Sequence, residues 1–487
     1  MSQAEIVVPT QKGLFFGGRW QTPAEAKPVE IRSPATGALL TSIVEASERD
    51  VDAIVASARK GYAIWRDVHP FERAKILREM AAIVRANIEE LALLEAIDCG
   101  NPVDELRRDV EMSAWLLDFF AGLVTEMKGS SVPAGPNGLS FSVREPYGVV
   151  LRIAPFNHPF IFSIGRTAAP LAAGNSIIVK PPEQAPLSAL RTTELVGHLF
   201  PPGVLNMIPG DRHLGAALTA HRDVALVAVT GSVPTGKAVM RSAADSLKRV
   251  LLELGGKNAL VAMPDCDPEA VASAMVRGMN YTWCGQSCGS TSRAFVHADI
   301  YDAVIERLPA HAARYKPGVP TDPGTTMGSL VSQAQLDKSL AYIEGAKAEG
   351  ARLVCGGSRP VHDGLDKGFF LEPTIFADVT MDMKVAREEI FGPVMSVLRW
   401  TDEDEMMRQV NQVEYGLTFS IYTRDIVKAH RLAARAEAGY CWVNEVSRHI
   451  VGSPFGGFKQ SGIGREECLD ELLSYTQEKN IFVNLGI

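Results

Sequence analysis

Two α/β domains in tandem are the fold class that this sequence predicts, and three patterns predict it. Between 149 and 263 short apolar runs, VVLRIA, NSIIVK, VLNMIP, VALVAVTG, RVLLEL and NALVAM, alternate with stretches of helix length. Such runs suit strands buried on both faces of a parallel sheet joined by right-handed βαβ crossovers. After 265 the alternation resumes with a helix (PEAVASAMVRGMNY), a strand (SRAFVH) and a helix (YDAVIERL), continuing to about 460. Ahead of both, from about 48 to 126, apolar residues recur at three and four spacing, in DVDAIVASARKGYAIW and FERAKILREMAAIVRANIEELALLEAI, and predict a helical lead-in.

The elements that do not fit this rhythm have their own signals. KGSSVPAGPNG is rich in Gly and Pro and opens into LSFSVRE, whose alternation predicts a strand in a hairpin or edge pairing. A chain of 487 residues with 46% apolar and 22% charged residues can bury a large core divided among two or three domains. The net charge of -8, with no cluster of Lys or Arg, argues against nucleic acid as a partner. The start, MSQAEIVVPT, lacks a basic region followed by an apolar one, and no run of 18 apolar residues follows, so a cytoplasmic protein without a membrane partner is expected. The seven cysteines are odd in number and thinly spread, as suits reduced thiols.

Chemistry concentrates in a few short stretches. In WCGQSCGSTSR, Cys284 and Cys288 have neither the flanking His nor the second pair of a zinc site, so no metal is expected. GSVPTGK at 231–237 follows a strand and has the GxxxxGK spacing of a phosphate-binding loop, but Ala238 stands where Ser or Thr would hold Mg²⁺. A helix N-terminus there still favours an anion, placing Gly231 and Ser232 against a pyrophosphate. There is no GxGxxG, which argues against the usual Rossmann dinucleotide mode. NSIIVK runs into KPPE, setting Lys180 and Glu183 at a strand terminus where ribose hydroxyls could be held.

APFNHP at 154–159, LELGGKN at 252–258, GQSC at 285–288, EEIFGPV at 388–394 and SPFGGFKQSG at 453–462, in that order and spacing, resemble the aldehyde dehydrogenase superfamily from about residue 31 to the C-terminal end. The resemblance implies a Rossmann-type cofactor domain (1–123 and 147–256), an α/β catalytic domain (257–460) and a small β oligomerisation element (124–146 and 474–487), assembled as a homodimer or homotetramer. It makes Cys288 the nucleophile that attacks an aldehyde, with Cys284 a bystander. Asn157 becomes the oxyanion amide beside the N–H of Cys288. Glu253 becomes the base that activates water against the thioester, which favours a free acid as product over transfer to coenzyme A. NAD is the implied cofactor, held by Phe156, Lys180, Glu183, Gly210, Gly231, Ser232, Leu254, Glu389 and Phe391. A carboxylate at Glu183 would repel the 2′-phosphate of NADP.

Departures from the family pattern cluster around the aldehyde. The common PWNFP is PFNHP, Gly165 replaces a frequent bulky aromatic, and Trp283 stands where Asn is usual. His158 and His449 are expected at the border of the tunnel as packing residues, and Arg166 and Glu466, placed where the family has proposed proton carriers, as structural ones. The changed volumes suggest a bulky or partly polar aldehyde. Two other classes compete with this reading: a phosphotransferase built on GSVPTGK, and a non-catalytic protein that kept the fold.

Overall fold

The computed structural model describes residues 6–361 and 364–486. Its first sheet has eight strands in the spatial order Arg19–Gln21, Leu14–Phe16, Leu205–Met207, Ser176–Lys180, Val149–Ile153, Val224–Thr230, Arg249–Glu253 and Gly462–Ile463. The five strands between 149 and 253 are parallel, and antiparallel pairs close both edges. From Val149–Ile153 the chain winds outward to 176–180 and 205–207, then returns to the other side at 224–230. The reversal opens a crevice at the carboxyl ends of Val149–Ile153 and Val224–Thr230, the usual ligand position in a doubly wound sheet.

These strands read as unbroken apolar runs because both faces are covered. Val150, Ile177, Val179, Leu226 and Ala228 face one buried cluster, with the helices Pro70–Ala86, Ile88–Cys99 and Val103–Gly122. Val149, Leu151, Ile178, Val227 and Val229 face another, with Val51–Trp65, Arg212–Ala220 and Val233–Ala244. The period of two survives as a choice between two cores instead of core against water.

The second sheet has seven strands, in the order Arg352–Cys355, Thr374–Ala377, Val394–Trp400, Arg293–His297, Ala259–Ala262, Thr418–Tyr422 and Tyr440–Val443. All its pairs are parallel except the first. The run NALVAM, which alternation groups with the first set, is here a central strand of the second sheet. Nothing in an apolar strand states which sheet it joins; Leu254–Asn258 carries the chain between the sheets without a crossover helix.

LSFSVRE lies in the strand Gly138–Pro146, which pairs antiparallel with Ser131–Pro133 on one side and Thr476–Asn484 on the other. This third sheet exposes Leu139 and Phe482. The short strands before residue 45, including the hairpin Pro28–Arg32 with Leu39–Val44, give no clear pattern in the sequence. No helix among the described residues is long and apolar enough to cross a membrane.

The helix Val51–Trp65 sits directly on the turn at Gly203 because both contact points are glycine. A Cβ on Gly61 would lie 2.2 Å from the Gly203 carbonyl carbon, and one on Gly203, where φ is +85°, would lie 2.2 Å from the Ser57 oxygen. Gly61→Ala should therefore cost about 1–3 kcal/mol through backbone displacement, read as a lowered denaturation midpoint. Lys60→Ala, at the exposed neighbouring position, should stay within about 0.5 kcal/mol of the parent.

Candidate active site

The carboxyl edge of the first sheet is level because its strands are in register. Ile153 is opposite Lys180, and Thr230 is opposite Glu253. The segments that leave this edge supply most of the residues singled out in the sequence. Phe156, Asn157 and His158 follow Val149–Ile153; Gly231 and Ser232 follow Val224–Thr230; Leu254 follows Glu253.

One cavity of about 320 Å³ is lined by Cys288, Glu253 and Asn157, together with His158, His449, Arg166, Glu466 and Trp283. Asn157 is held by its own backbone, whose carbonyl accepts from Asn101 Nδ2 at 2.9 Å. The Cys288 carbonyl accepts from Asn258 Nδ2 at 2.7 Å. Gly256 allows that loop to approach, since a Cβ there would lie 2.6 Å from the Cys288 oxygen. Burial first, and the Glu253 carboxylate second, hold the Cys288 thiol well above its ordinary pKa. Cys284 is fully buried, donates its S–H to the Gly328 carbonyl and does not line the cavity.

Glu253 is 3% exposed, and neither carboxyl oxygen has a hydrogen-bond partner among the described residues. Burial raises its pKa to about 8, the charge of Glu466 adds to the rise, and the Cys288 thiol and Arg166 oppose it. The group is therefore mostly a neutral acid at pH 7. Behind it lies a buried ionic cluster. Arg166 pairs with Glu467 at 2.8 Å and with Glu466 and Glu471 at 3.3 Å each, while Arg152 reaches Glu466 at 2.8 Å and donates to Thr230 Oγ1. Burial would raise Glu466 and Glu467, but Arg166 with Arg152 lowers the first, and His449 with Arg166 lowers the second to about 2. Glu471, buried and beside Glu466, rises to about 7. The sequence pointed to Arg166 and Glu466 but missed Arg152, Glu467 and Glu471.

The remaining residues lie along the strand edge. Lys180 is buried, its pKa lowered by that burial, and its Nζ is 3.6 Å from Glu183 Oε1. Glu45 and Asp211 add negative charge around Lys180, a contribution the sequence did not reveal because Glu45 comes from the N-terminal hairpin. Ser232 caps the helix Val233–Ala244, accepting from the Thr235 N–H. A Cβ on Gly231 would meet only Val229 Cγ1, at 3.8 Å, so the space before this helix N-terminus is open. Gly210 follows the strand Leu205–Met207 and precedes Asp211, the cap of the next helix. Glu389 arrives from the second sheet's side: its Oε1 accepts from the Gly256 N–H at 2.9 Å, and a Cβ on Gly255 would strike its carboxylate. Phe391 meets Phe156 edge to face at 5.7 Å. Leu254 donates its N–H to Ser461, whose hydroxyl donates to the Gly255 carbonyl, so SPFGGFKQSG ties down LELGG.

One expectation needs correction, and one competing reading loses its structural basis. Gly165 does not widen the cavity: a Cβ there would be 3.1 Å from Ser113 Oγ and 3.2 Å from Leu116 Cδ1, so the helix Val103–Gly122 already fills that space. GSVPTGK does not form a phosphate-binding loop. The helix begins at Val233, Gly236 lies inside it against Leu254, and Lys237 is exposed on its surface.

The sequence pattern of the aldehyde dehydrogenase family matches residues 20–481. The chain belongs to the aldehyde dehydrogenase family. The reaction of such an enzyme is the oxidation of an aldehyde. Among curated relatives, this aldehyde dehydrogenase is 49% identical to the aldehyde dehydrogenase tropH of Talaromyces stipitatus over 99% of this chain and 95% of that one. It is 42% identical to a betaine aldehyde dehydrogenase of Brucella anthropi over 97% of each chain. Among solved structures, the NAD⁺ complex of an aldehyde dehydrogenase from Bacillus cereus superposes with a TM-score of 0.94 at 38% identity, covering 98% of this chain and 97% of that one.

The ionic cluster around Arg166 generates a stability prediction. Arg166→Met removes the cation shared by three carboxylates, two of them buried, and should cost about 3–5 kcal/mol. Arg166→Lys, which keeps the charge but not the fork, should cost less. Chemical denaturation of the two variants beside the parent gives the order.

Proposed function

We propose that this aldehyde dehydrogenase uses NAD⁺ to convert an aldehyde to the free carboxylic acid, by covalent catalysis at Cys288 followed by hydrolysis at Glu253. The observation that carries the proposal is the convergence of Cys288, Asn157 and an unpartnered Glu253 carboxyl on one cavity. In this reading the Cys288 thiol gives its proton to solvent as the sulfur bonds to the aldehyde carbon, and the carbonyl electron pair moves to oxygen. The Asn157 amide and the Cys288 N–H donate to the new oxyanion. NAD⁺, when held by the residues of the sheet edge, would supply the acceptor for the hydride that leaves the thiohemiacetal carbon. Glu253 then takes a proton from water as the water oxygen attacks the thioester, and the Cys288–carbon bond breaks to release acid and thiol.

The donor set along the strand edge suits a dinucleotide. Lys180 and Glu183 would hold the ribose at the adenine end, Gly231 and Ser232 the pyrophosphate, and Glu389 the nicotinamide ribose. Phe156, Phe391, Leu254 and Gly210 would form the walls. We assign residues 1–123 and 147–256 to cofactor binding, 257–460 to catalysis, and the third sheet, with its exposed Leu139 and Phe482, to pairing with further copies of the chain.

A Glu253 pKa raised to about 8 gives the pH dependence its sign. Below that value the carboxyl holds its proton and cannot serve as a base, so thioester hydrolysis should rise with pH through about 8. Glu253→Gln should lose that rise and give at most a burst of about one NADH per site, with the acyl group on the Cys288 peptide by mass spectrometry. Cys288→Ser should give no NADH even in the first turnover. Parental steady turnover in Glu253→Gln would overturn the mechanism.

Glu183, Glu45 and Asp211 surround Lys180, so the repulsion of a 2′-phosphate should not rest on Glu183 alone. Glu183→Gln should raise NADP⁺ kcat/KM relative to NAD⁺ by about tenfold, and Glu45→Gln added to it should raise the ratio again. Equal kcat/KM for the two cofactors in the parent would contradict this assignment.

A further inference from the structure

His158 is a hydrogen-bonding residue of the aldehyde cavity, not only packing. Its Nδ1 lies 2.7 Å from Asp109 Oδ2, the shortest separation that any histidine makes among the described ion pairs. In the tautomer whose Nδ1–H donates to that carboxylate, the lone pair of the ring lies on Nε2. No protein group among the described residues is hydrogen-bonded to Nε2. The ring lines the cavity beside Asn157 and rests against Trp283, with centroids 5.1 Å apart. Asp109 comes from the helix Val103–Gly122 and is itself buried, so the ring is aimed from behind by a second element.

The other walls restrict what His158 can meet. Phe162, Trp283, Trp442 and Phe455 also line the cavity and suit a flat ring. They also suit a quaternary ammonium by cation–π attraction, but that cation has no hydrogen to donate and would leave His158 Nε2 without a partner. Glu105 is paired with Arg108, Asp109 with His158, Glu466 with Arg152 and Glu467 with Arg166. Among the described carboxyl groups that line the cavity, Glu253 alone is in no ion pair, and it is mostly neutral at pH 7, so no charge there adds to the binding of a cation.

We propose that the substrate is an aromatic aldehyde bearing a phenolic hydroxyl, whose O–H donates to His158 Nε2 while Asp109 holds the imidazole in the accepting tautomer. The proposal rests on the aldehyde-oxidising reading above and adds the substrate class. Asp109 is a positioning residue, since it acts only through His158.

The test compares kcat/KM, by NADH formation with saturating NAD⁺, for the isomeric hydroxybenzaldehydes, the matching methoxybenzaldehydes, benzaldehyde, propanal and betaine aldehyde. Methoxy and hydroxy groups donate electrons to the ring similarly, but only the hydroxyl can donate a hydrogen bond. In the parent, at least one hydroxy isomer should exceed its methoxy partner and benzaldehyde by about tenfold or more. That ratio should collapse towards one in His158→Phe, which keeps a flat ring against Trp283, and should fall in Asp109→Asn. NADH formation with no hydroxy-over-methoxy preference in the parent, or with betaine aldehyde the best substrate, would overturn this inference and leave the dehydrogenase reading intact. No NADH from any aldehyde would overturn both. The parental ratios need no variant, so they decide the question even if His158→Phe fails to fold.

Discussion

Electroneutrality in a buried space is the constraint on which this active site depends. Four carboxyl groups, Glu253, Glu466, Glu467 and Glu471, share the interior with two guanidinium groups, Arg152 and Arg166. Six ionised groups would carry a surplus of two negative charges, which the interior could not solvate. The cluster divides instead: the pKa of Glu466 is lowered by Arg166 and Arg152, and that of Glu467 by His449 and Arg166, while those of Glu253 and Glu471 are raised by burial. The two arginines then face two anions, with His449 beside the second. Burial raises the Glu253 carboxyl to about 8, and its neighbours have already used most of the positive charge that would oppose the rise.

The same cluster explains how the chain's distant parts meet. Arg152 lies on the central strand of the first sheet and Arg166 just beyond the short helix Pro159–Ser163, whereas their glutamates come from near the C-terminal end. Ser461 hydrogen-bonds to Leu254 and Gly255, and Gly462–Ile463 pairs with Arg249–Glu253. A late segment thus closes over an early sheet edge and carries the counter-charges with it. Separating them would leave buried charges unpaired on both sides.

Much of this was legible in the sequence, for reasons that differ by element. The parallel strands announce themselves because burial on both faces demands continuous apolar residues. Cys288, Glu253 and Asn157 are visible through the order of their motifs, each motif being a tight backbone arrangement such as Gly255 and Gly256 beneath Glu389 and the Cys288 loop. What escapes is whatever depends on pairing across the chain. Asp109 reads as one more charge on an amphipathic helix, Glu45 as a loop residue, and Glu467 and Glu471 as a surface turn, because no local pattern marks a partner that lies tens to hundreds of residues away. Short strands such as Leu14–Phe16 have too few residues to show a period. Gly165 misleads for the opposite reason: a small residue signals space only if its neighbours leave it empty, and Ser113 and Leu116 do not.

Phe156, Asn157 and His158 show how closely the two halves of the chemistry are joined. These consecutive residues leave the central strand in a non-repeating segment, so their side chains can diverge as a strand's alternation would not allow. Phe156 meets Phe391 on the cofactor edge, Asn157 lines the cavity with Cys288, and His158 turns to Asp109. Asn101, from the turn before the helix that bears Asp109, fixes the middle residue by its carbonyl. The wall proposed to recognise an aldehyde ring and the amide proposed to receive its oxyanion therefore share a peptide backbone and a common support. A substrate that displaces His158 must also strain Asn157. Selection at the ring and stabilisation at the reacting carbon are in this way a single mechanical problem, solved by rigid attachment to the first sheet.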